Sequence, residues 1–133
     1  MQAVNVIVSS DGVPAIELAT SQGNIDLHNF ADFERFEYST EGIVKFSWVP
    51  TVKGELLLGS RAISKAVLLC EQVRSFSVTS RDPEMPLSED KTLDDLELAQ
   101  LQESNIQLKL NFCGGIKINL LTQKIELLVD YDR

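Results

Sequence analysis

Histidine, cysteine and clustered basic residues are scarce in this chain of 133 residues, and each scarcity removes a class of chemistry. A single histidine, His28, leaves no histidine cluster for zinc and no imidazole pair for acid–base work. The two cysteines, Cys70 and Cys113, form neither a metal-binding spacing nor a paired redox motif, and they are too few for a disulfide scaffold. Both read as small apolar side chains. Twelve Lys and Arg stand singly against twenty Asp and Glu, for a net charge of −8. That balance argues against a nucleic-acid partner, whose phosphates need a basic groove. No apolar run reaches the length of a membrane span, and the opening MQAVNVIVSSDGVP lacks the charged and apolar regions of a secretory signal. A cytoplasmic location with no membrane partner is the expectation.

What the chain does contain is alternation. Apolar residues make up 44% and charged residues 24%, the balance of a folded globular protein, and the length suits one domain over residues 1–133. Within residues 105–129, Ile106, Leu108, Leu110 and Phe112 alternate with Gln107, Lys109 and Asn111. Gly114 and Gly115 offer the positive φ angles of a hairpin turn, after which Ile116, Ile118 and Leu120 resume the pattern. Ile125, Leu127 and Val129 make a third run. The segment predicts three antiparallel strands in one ladder.

Elsewhere the pattern is less regular. Val4, Val6 and Val8 share a phase closed by a turn over residues 9–12, and Ile16 and Leu18 follow, so the two runs can pair as a hairpin. Leu27, Phe30, Phe33 and Phe36 recur at threes, which leaves room for a short helix near 29–33, while Phe36 and Tyr38 begin a strand-like alternation against it. Val44, Phe46 and Trp48 alternate as a strand that Pro50 ends, with Phe36, Phe46 and Trp48 expected in the core. Residues 52–58 read as a strand. Residues 62–71 fit a helix as well as a strand, and strands over 65–70 and 75–79 joined by a turn at Glu71 and Gln72 are preferred. Leu93, Leu96, Leu98 and Leu101 have mixed spacing, which leaves 93–101 open between the two. The expected fold class is mostly β: a single antiparallel β domain, as a sandwich or an open curled sheet, with room for one short helix.

Chemistry is sparse by the same reading. Seven acids lie between Arg81 and Glu97, in and beyond the one long connection, RDPEMPLSEDK. They lack the alternating ligands and turn glycine of a calcium loop, so a solvated acidic face is the plain expectation and no metal site is assigned. The functional expectation is a partner-binding rim at Asp82, Glu84, Glu89 and Asp90 for a basic protein, with Pro83 and Pro86 limiting the cost of ordering the loop. Gly114 and Gly115 lack the spacing of a phosphate loop, no cofactor motif is present, and no catalytic set is assigned. Asp94 and Asp95 are adjacent, so on a regular element they diverge instead of sharing an acid–base site.

Two stretches carry a resemblance. VRSFSVTSRDPEMPLSED, residues 73–90, resembles a segment of small uncharacterised bacterial proteins, and HNFADFERFEY followed by GIVKFSWVP, within residues 25–50, is similar to the early strand–turn–strand pattern of small β-rich proteins related to bacterial immunity proteins. The resemblance implies a protein that binds and neutralises a toxin, with acidic side chains facing a basic surface. The leading expectation, resting on the acid-rich connection, is a non-enzymatic binding or interaction protein of the immunity-like kind that the resemblance implies. The alternatives are a structural homo-oligomer paired through a sheet edge and a metal-assisted hydrolase using carboxylates.

Overall fold

The computed structural model describes residues 1–9, 12–52 and 54–132. Twelve strands run through them: β1 (Gln2–Asn5), β2 (Glu17–Thr20), β3 (Gly23–Asp26), β4 (Ala31–Ser39), β5 (Ile43–Pro50), β6 (Leu57–Leu58), β7 (Arg61–Glu71), β8 (Ser75–Val78), β9 (Leu93–Gln100), β10 (Ile106–Phe112), β11 (Lys117–Thr122) and β12 (Lys124–Tyr131). The one helical turn among the described residues is a 3-10 segment, Leu87–Lys91. The protein is a mostly β domain of two antiparallel sheets, as the alternation predicts. No helix of the described residues is long and apolar enough to cross a membrane.

The larger sheet runs β1-β12-β7 and then forks, because β7 is long enough to pair with two partners on one side. Its second half takes β5, through Trp48 opposite Ala66 to Val44 opposite Cys70, and β4 lies outside β5. Its first residues take β6, followed by β3 and β2. The smaller sheet is β8-β11-β10-β9. One hydrophobic core lies between them, with Trp48, Phe46, Leu68 and Leu127 from the large sheet and Leu108, Leu110, Leu120 and Leu96 from the small one. The Phe33 ring of β4 meets the Phe112 ring of β10 at 4.7 Å between centroids and the Trp48 edge at 5.3 Å, so aromatic contact joins the sheets.

Several expectations are corrected at this level. The β10–β11 hairpin forms as predicted, but the third run, β12, leaves the ladder and pairs with β7 and β1 in the other sheet. Likewise β7 and β8 are not a hairpin: β8 pairs with β11, and Gln72 takes a positive φ of 56° where the chain turns from one sheet to the other. Both changes of sheet occur side by side. The Thr122 hydroxyl, fully buried, donates to the Glu71 carbonyl at 2.6 Å, and the Arg74 amide donates to the Leu121 carbonyl at 2.7 Å. Thr122 is the joint between the two sheets.

The helix expected near 29–33 is replaced by a turn entering β4, where β5 supplies backbone partners that a short isolated helix would lack. In β4 an extra residue at Glu34 shifts the register between Phe33 and Arg35, so that Phe33 and Phe36, three apart, lie opposite Trp48 and Phe46. Phe36 is 39% exposed and so lies outside the core where Phe46 and Trp48 are buried. The strand expected over 52–58 shrinks to Leu57–Leu58, Lys53 within it lying outside the described residues. Residues 62–71 are strand throughout, as are Leu93–Gln100. Val4 is buried in phase with the half-buried Val6 and Val8, yet β1 stops at Asn5 and pairs with β12, while β2 pairs with β3. The expected first hairpin is reduced to contacts such as the Ile7 amide donating to Ala19. In the turn expected over 9–12, Ser10 and Asp11 lie outside the described residues.

Candidate functional site: the acidic end of the small sheet

The acidic connection begins where β8 ends and folds back over the β10–β11 turn. Arg81 organises it: Nε donates to both Asp90 carboxylate oxygens, at 2.8 and 3.1 Å, and Nη2 donates to the Met85 carbonyl at 2.8 Å. The Asp82 amide donates to the Gly114 carbonyl at 2.8 Å, and the Gly114 amide to the Glu89 carbonyl at 3.1 Å. The Asp82 carboxylate accepts from the Glu84 amide at 2.9 Å, closing a turn at the loop's tip. Acid and glycine are therefore complementary here. A Cβ on Gly114 would collide with the Asp90 carboxylate, and one on Gly115 would sit 2.8 Å from the Asp82 nitrogen. Only Gly115 uses a positive φ, 96°; Gly114 is needed for the close approach.

The four residues expected as partner contacts thus have different surroundings. Asp82 and Glu84 are exposed, Glu89 is half-buried, and Asp90 is half-buried with its charge engaged by Arg81. The 3-10 segment carries no side-chain cap from Ser88; its N-cap position is Pro86.

Beside this loop the fold assembles three side chains that sequence spacing does not connect. His28 lies in the turn after β3, where the Asp26 carboxylate accepts from the amides of His28 and Asn29 at 3.0 and 2.8 Å, and from the Asn29 side chain at 2.9 Å. Its ring Nδ1 lies 2.5 Å from the Leu93 carbonyl, to which only a protonated nitrogen can donate. Asp94 follows Leu93 and is the extra residue of a β-bulge: Phe112 pairs with Leu93 and Asn111 with Asp95, so Asp94 has no partner across the ladder. Cys113 opens the β10–β11 turn, its amide donating to Thr92 at 2.9 Å. A ring nitrogen of His28, a carboxylate oxygen of Asp94 and the Cys113 sulfur all lie within 4.8 Å of one another.

No family model, curated protein or solved structure matches the chain. The site's chemistry therefore rests on its own geometry.

Burial pushes the Cys113 thiol up, and the Asp94, Glu89 and Asp95 carboxylates push it further by disfavouring a second negative charge. Asp95 is held in place by the Asn111 side-chain amide, which donates to it at 2.6 Å across the ladder. A thiol raised in this way is the opposite of an activated nucleophile, whose environment is electropositive. The His28 ring is also oriented by a backbone carbonyl instead of by the carboxylate of a triad. The arrangement holds positive charge better than it attacks an electrophile. A surface cavity of about 760 Å³ lined by Gln100, Leu101, Gln102, Glu103 and Asn105 lies at the opposite end of β9 and β10 and adds nothing to this site.

Reading the chain in isolation leaves Cys113 as a small apolar side chain and His28 with a structural or surface hydrogen-bonding role. His28 does make a hydrogen bond, to a residue 65 positions away, and that separation is why no local pattern could pair it with Asp94. One trace was present in sequence. The mixed spacing of Leu93, Leu96 and Leu98, all buried, is the signature of one residue inserted into a strand.

Proposed function

We propose that this protein is a non-enzymatic binding domain that presents its acidic end to a positively charged protein partner. The observation that carries the reading is the anchoring of the 81–91 connection on the β10–β11 turn through Arg81, Asp90 and Gly114, with Asp82 and Glu84 left exposed. A loop ordered before binding spares the partner the cost of ordering it. Charge is concentrated there as well: residues 81–97 hold seven acids and two bases, a net of −5 within a chain total of −8. Such a focus speeds encounter with a basic surface and disfavours acidic competitors. The resemblance noted for residues 25–50 would imply the same class of partner, a basic toxin domain.

The test uses wild-type protein and a variant carrying Asp82→Asn, Glu84→Gln and Glu89→Gln, with Asp90 kept so that the loop stays anchored. A partner captured from the native cell by the wild type should bind the variant roughly tenfold more weakly or worse, with a flatter salt dependence. Equal affinity and equal salt dependence would remove this face from the account.

A further inference from the structure

We propose that His28, Asp94 and Cys113 form a transition-metal site of the zinc type, with three protein ligands and a fourth position open to water. This inference stands independently of the partner-binding reading, since it concerns side chains that the neutralised variant above leaves intact.

The donor set selects the ion. An imidazole nitrogen, a thiolate and a single carboxylate suit Zn²⁺ and its tetrahedral analogue Co²⁺, whereas Ca²⁺ and Mg²⁺ require mostly oxygen. The geometry is close to what such an ion needs. With Zn–S near 2.3 Å and Zn–N and Zn–O near 2.0–2.1 Å, tetrahedral ligand atoms lie roughly 3.3–3.6 Å apart. Here every pair is already within 4.8 Å, and rotation of the Asp94 and Cys113 side chains toward the held His28 ring is the adjustment that binding requires.

Each ligand is also supported from behind. The Leu93 carbonyl accepts from Nδ1 of His28, which leaves the lone pair on Nε2 and fixes the ring, the usual outer-sphere partner of a metal-bound histidine. The Asx turn of Asp26 holds the His28 backbone. The bulge detaches Asp94 from cross-strand pairing and leaves it exposed, so this ligand keeps access to solvent. The Cys113 amide is pinned to Thr92. Three segments from both sheets thus converge on one point. Binding breaks the Cys113 S–H bond, releases its proton to solvent and forms the S–metal bond; thiolate and carboxylate then neutralise a divalent ion.

The experiment titrates the chelator-treated full-length protein with Co²⁺ and then with Zn²⁺, reading the absorption of a thiolate–cobalt bond and the thermal midpoint. One equivalent of Co²⁺ should develop that charge-transfer band, Zn²⁺ should bleach it, and Zn²⁺ at a hundredfold excess over its Kd should raise Tm by roughly 10 °C. Cys113→Ala should abolish the band. Asp94→Asn, an exposed change that spares the fold, should weaken binding by more than about 100-fold, since loss of even an outer-sphere partner costs 10–100-fold. Cys70→Ala should leave the band unchanged. The proposal is overturned by a folded wild type that shows no band, by a band that survives Cys113→Ala, or by wild-type affinity in Asp94→Asn.

Discussion

Cys70 and Cys113 look equivalent in the sequence and have different surroundings in the fold. Cys70 lies on β7 between Val44 of β5 and Ile125 of β12, fully buried, and burial pushes its thiol up to about 12 from an ordinary value of 9.0. The folded protein keeps this proton in a range where the unfolded chain loses it. Stability from the buried neutral thiol is therefore complete below about pH 9 and is lost as pH rises toward 12. At about pH 10.5 the loss amounts to about 2 kcal/mol. Urea unfolding of wild type and Cys70→Ala, at about pH 8 and about pH 10.5, should show the stability difference between them shifting by that amount in favour of the variant. A difference that stays constant between the two pH values would contradict the burial of an un-ionised thiol. The reading of both cysteines as small apolar side chains holds for Cys70 and misses the polar neighbours of Cys113, because His28 and Asp94 come from other elements.

At the scale of elements, alternation is a good guide to which residues form strands and a poor guide to which sheet a strand joins. Ile106, Leu108, Leu110 and Phe112 are all buried as their spacing predicts, and so are Leu127 and Val129. Yet the first four belong to one sheet and the last two to the other, since a strand buries one face in the same way against either partner. The deciding contact is polar and nonlocal. Thr122 donates to Glu71 at 2.6 Å, where both chains change sheet. Thr122→Val keeps the shape, removes the buried hydroxyl and leaves the half-buried Glu71 carbonyl without this donor, so it should cost about 1–3 kcal/mol. Denaturant unfolding measures the loss, and amide exchange should rise first at residues 71–75 and 122–124. A stability within about 0.5 kcal/mol of wild type would show that packing alone sets the crossing. Bulges are the second feature that alternation conceals: the extra residues Glu34 and Asp94 made β4 and the start of β9 read as partly helical.

At the scale of the molecule, the sheet edges and the distribution of charge define the surfaces available to a partner. β9 is flanked by bridges from Ser9 and Ala15, which cover part of its outer edge. Among the described residues β4 pairs only with β5, and Glu34, its bulge residue, together with Arg35 and Glu37 places charge along that edge, the usual guard against uncontrolled strand pairing. The acidic end of the small sheet is different in kind. It combines an anchored loop, exposed carboxylates and the His28, Asp94 and Cys113 cluster within one region. The mostly β architecture was legible from periodicity, and the acid-rich connection from composition. Its anchoring was not, because it depends on Gly114 lying under Asp90, a contact between residues 24 positions apart in a chain that returns through two strands.

The central claim, that this end is where positive charge is received, is tested most directly by amide-resolved NMR. The protein is titrated with a lysine-rich peptide at low salt and again at physiological salt. Shifts concentrated at residues 81–97 and 113–115, and reduced by the added salt, are the expected result. Shifts spread over β4, β1 and β12, or none in the acidic connection, would contradict it.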